Sequence, residues 1–496
     1  MKIGMISLGC PKNLVDGEVM LGLAERSGHT ITADASDADV IVVNTCAFID
    51  RAKQESVDAI LEMAERRKAG GCQKLIVTGC LAERYRDELQ AQIPEIDIVL
   101  GTGEVPAIVS ALAERGTSED GANALAATSA IVGPGAFTPS SDGPRPGIIA
   151  PATLYRRTKS GHEPLGGRTE LPTYIYDADT PRILATPRHY AYIKVAEGCD
   201  YRCAFCIIPR LRGHYRSRPA DSIVREARDL VSRGVREIIL ISQDTTFYGV
   251  DLGQRDALAS LLRELNGIDG LDWIRILYLY PTTITDAMLD AMAECDKVVK
   301  YVDLPLQHAS DRVLKRMNRP GTRASYERLL RRVRDRVPGV TLRTTFIVGF
   351  PGETDTDVDE LAGFLDAVQF EHVGIFTYSH EDGTTAGTKF DDDVPAGVKR
   401  SRRNRLMAQQ KRIVRRSQKR RIGQRVRLVV DGPSDEHDLV LRGRLPGQAP
   451  EIDAQVFLTE CDPSSLPPGT FVEAEIVGAK DYDLIARPLP GPGPLW

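Results

Sequence analysis

Short runs of apolar and β-branched residues alternate with helical stretches in two separate parts of this 496-residue chain. In the first part the predicted strands are Lys2–Leu8, Val40–Asn44, Lys74–Thr78 and Ile96–Leu100. A helical stripe runs through Asp50–Lys68 and ends at Gly70 and Gly71. Strands that alternate with helices form parallel sheets covered on both faces. The sequence therefore predicts an α/β protein whose first domain, residues 1–115, is a doubly wound parallel sheet.

The second alternating part covers residues 186–398 and contains six strand-like runs: Ala191–Ala196, Glu237–Ser242, Trp273–Leu279, Tyr301–Leu306, Thr341–Val348 and Val373–Tyr378. Helical stretches such as Ala220–Ser232 and Thr354–Phe370 separate them. Six β/α units fit a partial (β/α)6 barrel that stops short of eight-strand closure, with an open sheet as the alternative. Between the two parts, residues 116–185 are rich in Gly, Pro, Ser and Thr, which predicts a flexible linker or insertion.

Two segments of opposite charge follow the second part. Residues 399–421 contain twelve Lys or Arg and no acid, which predicts a basic connecting helix. From Val426 to Trp496 there are twelve acids and five bases, a net charge of −7. Five short strand-like runs predict a small five-stranded β-barrel in residues 422–496: Val426–Val430, Leu439–Arg444, Ala454–Leu458, Phe471–Val477 and Tyr482–Ala486.

Composition indicates an ordinary globular protein, with 42% hydrophobic and 27% charged residues. No run of eighteen apolar residues is present, so we expect no spanning helix and no membrane partner. The start of the chain lacks a basic stretch followed by a long apolar one, so we expect no signal peptide and a cytoplasmic location. In a long cytoplasmic chain, clustered cysteines indicate metal or redox chemistry rather than disulfides.

Three of the nine cysteines form a compact motif, Cys199-x3-Cys203-x2-Cys206, just after the first strand of the second part. Three thiolates can hold one side of a metal centre, whereas a complete protein site uses four. An iron–sulfur cluster held this way keeps one iron open to an outside ligand. The end of a barrel strand is also where chemistry occurs in β/α barrels. Zinc is the competing metal, and chance clustering is the remaining alternative.

A second set, Cys10, Cys46 and Cys80, is dispersed in the sequence, but each cysteine follows a predicted parallel strand by one or two residues. The carboxyl ends of parallel strands lie along one edge of a sheet, where ligands bind. We therefore predict a second cluster at that edge, against the alternative of three ordinary buried cysteines. The other three cysteines are predicted to be packing residues: Cys72, Cys295 and Cys461.

The segment around Cys199 resembles the signature of the radical S-adenosylmethionine (SAM) superfamily, including the aromatic Phe205 before the third cysteine. The resemblance implies a [4Fe–4S] cluster on Cys199, Cys203 and Cys206 whose open iron binds SAM. It also implies that reductive cleavage of SAM yields a 5′-deoxyadenosyl radical, with Phe205 near the adenine.

Two three-cysteine sites followed by a small TRAM-like barrel resemble the radical SAM methylthiotransferases. Four segments are similar to the branch that modifies a ribosomal protein: Gly9–Asn13, Thr45–Asp50, Ala52–Ser56 and Pro305–Ser310. The resemblance implies methylthiolation of the β-carbon of an aspartate in the twelfth small-subunit ribosomal protein. It also implies two [4Fe–4S] clusters, SAM as both methyl donor and radical source, and catalytic roles for the six cysteines. An electron donor such as flavodoxin or ferredoxin follows, and we expect a monomer.

Three further polar residues lie on predicted barrel strands or at their ends: Gln243, Gln307 and Arg343. Each is a candidate to bind SAM or the target carboxylate, and each has the alternative of a hydrogen-bonded core residue. The run Gly349–Glu353 follows a strand and is a candidate border of the adenine, or simply a turn.

Two other functions stay open at the level of the sequence. A transfer-RNA methylthiotransferase uses the same chemistry, but the acidic C-terminal segment would repel phosphate and attract a basic protein. The basic stretch 399–421 weakens that distinction, because it is either a solvated helix or a contact with ribosomal RNA or the acidic barrel. The second alternative is an iron–sulfur protein that binds or transfers electrons without catalysis.

Overall fold

The computed structural model describes residues 1–113, 165, 170–434 and 440–489, so most of the predicted linker at 116–185 lies outside the described residues. Five N-terminal strands form a parallel sheet in the order β2-β1-β3-β4-β5: β1 (Lys2–Ser7), β2 (Thr30–Thr32), β3 (Val40–Thr45), β4 (Lys74–Gly79) and β5 (Ile98–Leu100). Its helices are α1 (Pro11–Arg26), α2 (Asp50–Lys68), α3 (Cys80–Arg84), α4 (Arg86–Gln92) and α5 (Ile108–Ala113).

The two faces of this sheet are covered by different helices, which confirms the doubly wound arrangement. Val40 and Val42 pack with residues of α1 and α5, whereas Ile41 and Val43 pack with residues of α2 and α3. This alternation follows from the two-residue period of a strand buried on both faces. The sequence analysis missed β2, because three residues, Thr-Ile-Thr, are too few to show a pattern.

The second part contains eight strands: β6 (Tyr190–Lys194), β7 (Ala196–Glu197), β8 (Arg216–Ser217), β9 (Glu237–Ile241), β10 (Trp273–Ile276), β11 (Tyr301–Asp303), β12 (Thr341–Val348) and β13 (His372–Thr377). Strands β6, β9 and β10 pair in parallel, as do β11, β12 and β13. A parallel bridge from Ile274 to Val298 joins the two sets. The six parallel strands form the predicted partial barrel, and β7 and β8 form a separate antiparallel pair.

The helices of this part are α6 (Ile208–Arg212), α7 (Ala220–Ser232), α8 (Ala257–Asn266), α9 (Asp286–Glu294), α10 (Asp311–Arg316), α11 (Arg323–Arg336), α12 (Asp355–Val368) and α13 (Thr385–Lys389). Helices α7 to α12 pack against the six strands, whereas α6 packs with the N-terminal domain. Residues from both helices and strands build the large core on this side. Tyr192, Ile239 and Tyr301 belong instead to an apolar cluster that includes Val15 and Val19 of α1. The N-terminal domain therefore packs against the inner side of the barrel strands.

The C-terminal part begins with α14 (Ala396–Lys419) and continues as five strands: β14 (Arg425–Pro433), β15 (Leu441–Arg444), β16 (Val456–Leu458), β17 (Phe471–Lys480) and β18 (Asp483–Pro488). The strands close in the order β14-β15-β16-β18-β17, which confirms the predicted five-stranded barrel.

The basic helix α14 is not a fully solvated connector. Leu406 and Ile413 are buried in the core of the partial barrel. Arg405 forms an ion pair with Asp359 of α12, and Arg415 forms one with Asp481 of the C-terminal barrel. The helix thus contacts the acidic barrel, one of the arrangements expected from its charge.

Residues 171–185 contain no helix or strand, but they are held between α1 and α7. Tyr176 donates a hydrogen bond of 3.0 Å to Glu226. Arg182 forms ion pairs of 2.5 Å with Glu18 and 2.7 Å with Glu226. Packed chain therefore resumes inside the segment that the sequence analysis assigned to the linker.

The C-terminal barrel covers the amino ends of the parallel strands. Arg444 pairs with Glu237 at 2.8 Å, Tyr301 donates to Asp453 at 2.6 Å, and Tyr190 donates to Glu451 at 2.9 Å. The N-terminal domain packs near the carboxyl ends of these strands, where chemistry takes place in β/α barrels. Among the described residues, no helix combines the length and apolar character needed to cross a membrane.

Glu237 provides a test of this junction, because it is 1% exposed and lies between Arg275 and Arg444. Replacing Glu237 by Ala leaves two buried guanidinium groups without this carboxylate, which we expect to cost about 3 kcal/mol. The urea unfolding midpoint should fall clearly. The control is Asp179→Ala, which removes an exposed pair with Arg225 and should leave the midpoint unchanged. Equal midpoints for the two variants would contradict the role of the buried pair.

Candidate functional site

The three dispersed cysteines lie at the carboxyl ends of adjacent strands. Cys10 follows β1 and precedes α1, Cys46 follows β3, and Cys80 begins α3 directly after β4. Gly9 has a φ of +91°, and a Cβ built on it would lie 2.7 Å from the Cys46 Cβ atom. Only glycine allows this approach, since any side chain would separate the first two cysteines.

The electrostatic environment shows that these three thiols are neighbours. Burial, together with the neighbouring Cys80 and Cys10, raises the pKa of Cys46 to about 12. Burial also raises the pKa of Cys80, while the Arg212 guanidinium opposes the increase. Buried thiolates that repel one another favour a bound cationic centre, because metals take the thiolate form. The chemistry of this donor set fits a metal cluster.

The second triad occupies the loop between β7 and α6. Burial raises the pKa of Cys206 to about 12, with Cys203 adding to the shift. The backbone of the loop is fixed by hydrogen bonds from the Ala204 amide to the Met317 carbonyl at 2.7 Å and from Cys199 to Gly213 at 3.1 Å. The three thiols are therefore held close together in a partly buried loop whose backbone is hydrogen-bonded.

A buried arginine accompanies this triad. Arg319 donates to the Cys203 sulfur at 3.6 Å and to the Pro305 carbonyl at 2.5 Å. Hydrogen bonds to ligand sulfurs lower the negative charge on an iron–sulfur centre and tune its reduction potential. Arg319 was not identified from the sequence, because it lies more than a hundred residues from Cys203.

Arg212 brings the two triads to one place. It follows Cys206 by six residues and ends α6. Its guanidinium lies 3.5 Å from the Cys80 sulfur and 3.3 Å from the side-chain oxygen of Asn13. The loop that carries one set of cysteines is therefore anchored directly on the other set.

Four buried charged groups stabilise this junction. Arg212 pairs with Asp16 at 2.6 Å and with Glu197 at 3.2 Å, and Lys194 pairs with both of the same acids. Although burial favours the neutral acid, Lys194 and Arg212 hold the pKa of Glu197 well below its usual range. Asp16 lies on α1, so the network joins the N-terminal domain to the barrel.

Lys12 lies between the triad of the N-terminal domain and the mouth of the barrel. It is 9% exposed, and its ammonium lies 2.9 Å from the centre of the Tyr278 ring. Burial lowers the pKa of Lys12 to about 8, opposed by Cys10, Glu197 and Asp303. Tyr278 follows β10 with a φ of +61°, a backbone conformation that non-glycine residues adopt mainly where surrounding contacts impose it.

Both predicted glutamines lie at the carboxyl ends of barrel strands. The Gln243 amide donates to Glu197, while its oxygen is buried and accepts no hydrogen bond from a described residue. Gln307 has a φ of +76° and is held by backbone bonds of 2.8 Å to Thr345 and Ile347. The unsatisfied oxygen of Gln243 is a ready acceptor for a polar ligand.

Arg343 is engaged by two carboxylates. It pairs with Asp303 at 2.8 Å and with Asp453 of the C-terminal barrel at 3.3 Å. Asp303 in turn accepts a hydrogen bond of 3.0 Å from the Tyr278 amide. In this structure Arg343 positions Asp303, and no sequence pattern identifies Asp453 as a partner.

Phe205 and the run Gly349–Glu353 come together. Phe205 packs against the apolar cluster that contains Phe350 and Tyr378. The Gly349 amide donates to the Glu353 carboxylate at 2.8 Å, which stabilises the turn. The aromatic residue of the second triad and the turn after β12 therefore border the same region.

A cavity of about 210 Å³ lies beside Cys10. Its lining includes Gly9, Leu14 and Thr186, together with Glu451 of the C-terminal barrel. No three Cys, His, Asp or Glu side chains among the described residues are arranged to hold a single metal ion. The assignment of the six cysteines as cluster ligands stays a prediction.

Comparison with known proteins covers each part of the chain. Profiles of the Radical SAM superfamily, of the Uncharacterized protein family UPF0004 and of the TRAM domain match residues 193–365, 2–101 and 422–489. The ribosomal protein uS12 methylthiotransferase RimO of Koribacter versatilis is 48% identical, covering 98% of this chain and 96% of that protein. The protein of the same name from Desulforudis audaxviator is 46% identical, covering 98% and 97%.

The chain belongs to the RimO family. Among solved structures, the radical S-adenosylmethionine methyltransferase TsrM from Kitasatospora setae is similar, with a TM-score of 0.50 and 17% identity over 78% of this chain and 74% of that one. That likeness supports the fold of the chain, while family membership rests on the relatives of high identity.

A substitution at Arg212 tests whether the buried ion pairs between α1 and the barrel hold the two cysteine triads in place. Replacing Arg212 by Met removes the cation beside Cys80 and leaves two buried acids with Lys194 alone, so we expect lower stability by about 3 kcal/mol. We also expect less iron per chain after anaerobic reconstitution. The measurements are urea unfolding and iron analysis. Arg225→Met, at an exposed site, should match wild type, and a fully loaded and stable Arg212→Met protein would show that the contact is dispensable.

Proposed function

We propose that this protein transfers a methylthio group to the β-carbon of an aspartate in ribosomal protein uS12. Family membership supports the reaction, because the relatives are named uS12 methylthiotransferases. The observation that carries the proposal is the contact of Arg212 with Cys80, because it joins the two partly buried cysteine triads at the carboxyl ends of the parallel strands. Such a reaction needs a radical source and a sulfur donor that meet at one substrate.

Side-chain acid–base chemistry is insufficient for this substrate. The hydrogen on an aspartate β-carbon is far too weakly acidic for a general base poised near pH 7. Two [4Fe–4S] clusters and SAM, the cofactors that the superfamily and the relatives imply, supply radical and sulfur-transfer chemistry that side chains lack. The chain contributes the thiolates, the orientation of the ligands and a dry site.

The residues divide these tasks between two groups. Cys199, Cys203 and Cys206 are proposed to hold one cluster, and Cys10, Cys46 and Cys80 the other. Each triad provides three of the four thiolates that complete a cluster site, which leaves one position for an outside ligand.

SAM is proposed to lie beside the barrel triad. The free oxygen of Gln243 is available to accept a hydrogen bond from it. Phe205 and the turn at Phe350 offer an apolar border for the adenine. Arg319 donates to the sulfur of Cys203 and so adjusts the ease of reduction at that triad.

The negative charge of the C-terminal segment agrees better with a basic protein substrate than with a transfer RNA. The C-terminal segment 426–496 has a net charge of −7, and Glu460, Asp462 and Glu473 are exposed on its barrel. Such a surface attracts a basic ribosomal protein and repels a phosphate backbone. Several cations of α14, including Arg402, are already paired with acids. We propose a monomer that works in the cytoplasm, reduced by a flavodoxin or ferredoxin.

Mass spectrometry tests the reaction directly. Anaerobically reconstituted protein, dithionite, SAM and purified uS12 should yield uS12 heavier by one methylthio group in place of one hydrogen. The modified residue should be an aspartate in the fragment spectrum. Transfer RNA in a parallel reaction should gain no methylthiolated nucleoside. Modified nucleosides with unmodified uS12 would select the transfer-RNA alternative instead.

Cysteine variants separate the two triads. Cys203→Ala should abolish 5′-deoxyadenosine formation, because the barrel triad loses a ligand. Cys46→Ala should retain 5′-deoxyadenosine formation but yield no methylthiolated uS12. Liquid chromatography of the nucleoside products and mass spectrometry of uS12 measure both outcomes.

The matched control is Cys461→Ala, a partly buried cysteine in the C-terminal barrel. It should behave as wild type in both assays. Full thiolation by Cys46→Ala would refute the second-site assignment. Absence of 5′-deoxyadenosine from the wild type would favour the non-catalytic iron–sulfur protein.

A further inference from the structure

The cations around the junction differ in whether they have partners. Lys194 and Arg212 pair with Asp16 and Glu197, and Arg343 pairs with Asp303. Within the part of the chain that the structure describes, the Lys12 ammonium forms no hydrogen bond or salt bridge, and it lies 2.9 Å from the centre of the Tyr278 ring. Lys12 is thus a buried cation without an anionic partner.

The position of Lys12 places this cation between the two proposed reaction centres. It lies in the first turn of α1, two residues after Cys10. Its ammonium reaches the segment after β10, at Tyr278, and is near enough to Glu197 and Asp303 to interact with both electrostatically. Those residues mark the carboxyl ends of barrel strands, the edge where barrel enzymes bind substrates.

Burying a charge without a partner is unfavourable, and a ring face compensates only in part. The two nearby acids are already used: Glu197 pairs with Lys194 and Arg212, and Asp303 pairs with Arg343. Cys10, which also favours the charged form of Lys12, is assigned to the cluster of the N-terminal domain. The described residues therefore leave no carboxylate for this ammonium. A site of this kind binds a carboxylate strongly, because the charged donor is fixed and shielded from water.

We propose that Lys12 binds the side-chain carboxylate of the target aspartate and so selects an acidic residue for modification. This inference rests on the proposed function, which requires the aspartate β-carbon to lie between the two cysteine triads. The carboxylate is attached to that carbon, so a cation beside Cys10 and at the barrel mouth holds the reacting atom near both. Lys12 thereby determines substrate specificity as well as position.

Binding measurements with two forms of the substrate test this role. The probes are uS12 and a uS12 variant whose modified aspartate, identified by mass spectrometry, is replaced by asparagine. Reconstituted wild-type protein with SAM should bind the aspartate form about 10- to 100-fold more tightly, as expected for a buried charge-assisted hydrogen bond. Lys12→Met should bind both forms about equally, at the affinity of wild type for the asparagine form. Lys12→Arg should keep a preference for aspartate.

The control is Lys68→Met, which removes an exposed lysine from α2 and should retain the full preference. Iron content is measured for every variant, and Lys12→Gln replaces Lys12→Met if the latter loads less iron. Retention of the aspartate preference by either uncharged variant overturns the proposal. Weakened SAM binding with an intact aspartate preference also overturns it, since Lys12 then serves the cofactor. If wild type modifies uS12 without preferring aspartate over asparagine, only this inference fails; if wild type neither binds nor modifies uS12, the proposed function fails with it.

Discussion

Asp16 and Glu197, each held by Lys194 and Arg212, form the buried contact on which the arrangement of this molecule depends. Buried charges are costly unless every one is paired, so these four groups permit essentially one way of seating α1 on the barrel. Because Arg212 ends the segment that carries Cys206 and also contacts Cys80, the same pairing links the two triads. Structural specificity and the proposed chemistry thus share one set of residues.

Different domains cover the two ends of the partial barrel, and buried ion pairs hold both of them in place. At the amino ends of the strands, Glu237 lies between Arg275 and Arg444, and Arg343 meets Asp453. Each of these arginines meets an acid of the same chain, which suits a structural junction. At the carboxyl ends Lys194 and Arg212 meet acids, whereas Lys12 meets a ring and Arg319 a sulfur and a carbonyl. An incomplete set of pairs at the end where barrels carry out chemistry is the expected mark of a binding site.

Much of the fold follows from local pattern. The helices at Asp50–Lys68 and Ala220–Ser232 have the predicted bounds, and the strand at Thr341–Val348 does as well. A strong period of apolar residues allows such elements to be predicted from the sequence, whereas the three residues of β2 are too few to show one. The edge position of Cys10, Cys46 and Cys80 also followed from topology, since the ends of parallel strands share an edge. The sequence leaves Arg343 open between a ligand-binding residue and a hydrogen-bonded core residue, because its partner Asp453 lies more than a hundred residues away.

The sequence by itself determined where the six cysteines lie relative to the strands of the two sheets. Cysteine spacing and the order of strands along the chain are local properties, and they do not depend on how the domains pack together. Only the tertiary structure decided which charges are satisfied. Whether a cation such as Arg212, Arg319 or Lys12 meets an acid, a sulfur or a ring depends on groups brought close by packing. Local sequence contains no information on that pairing, because the electrostatic energy depends on distance in space and on burial.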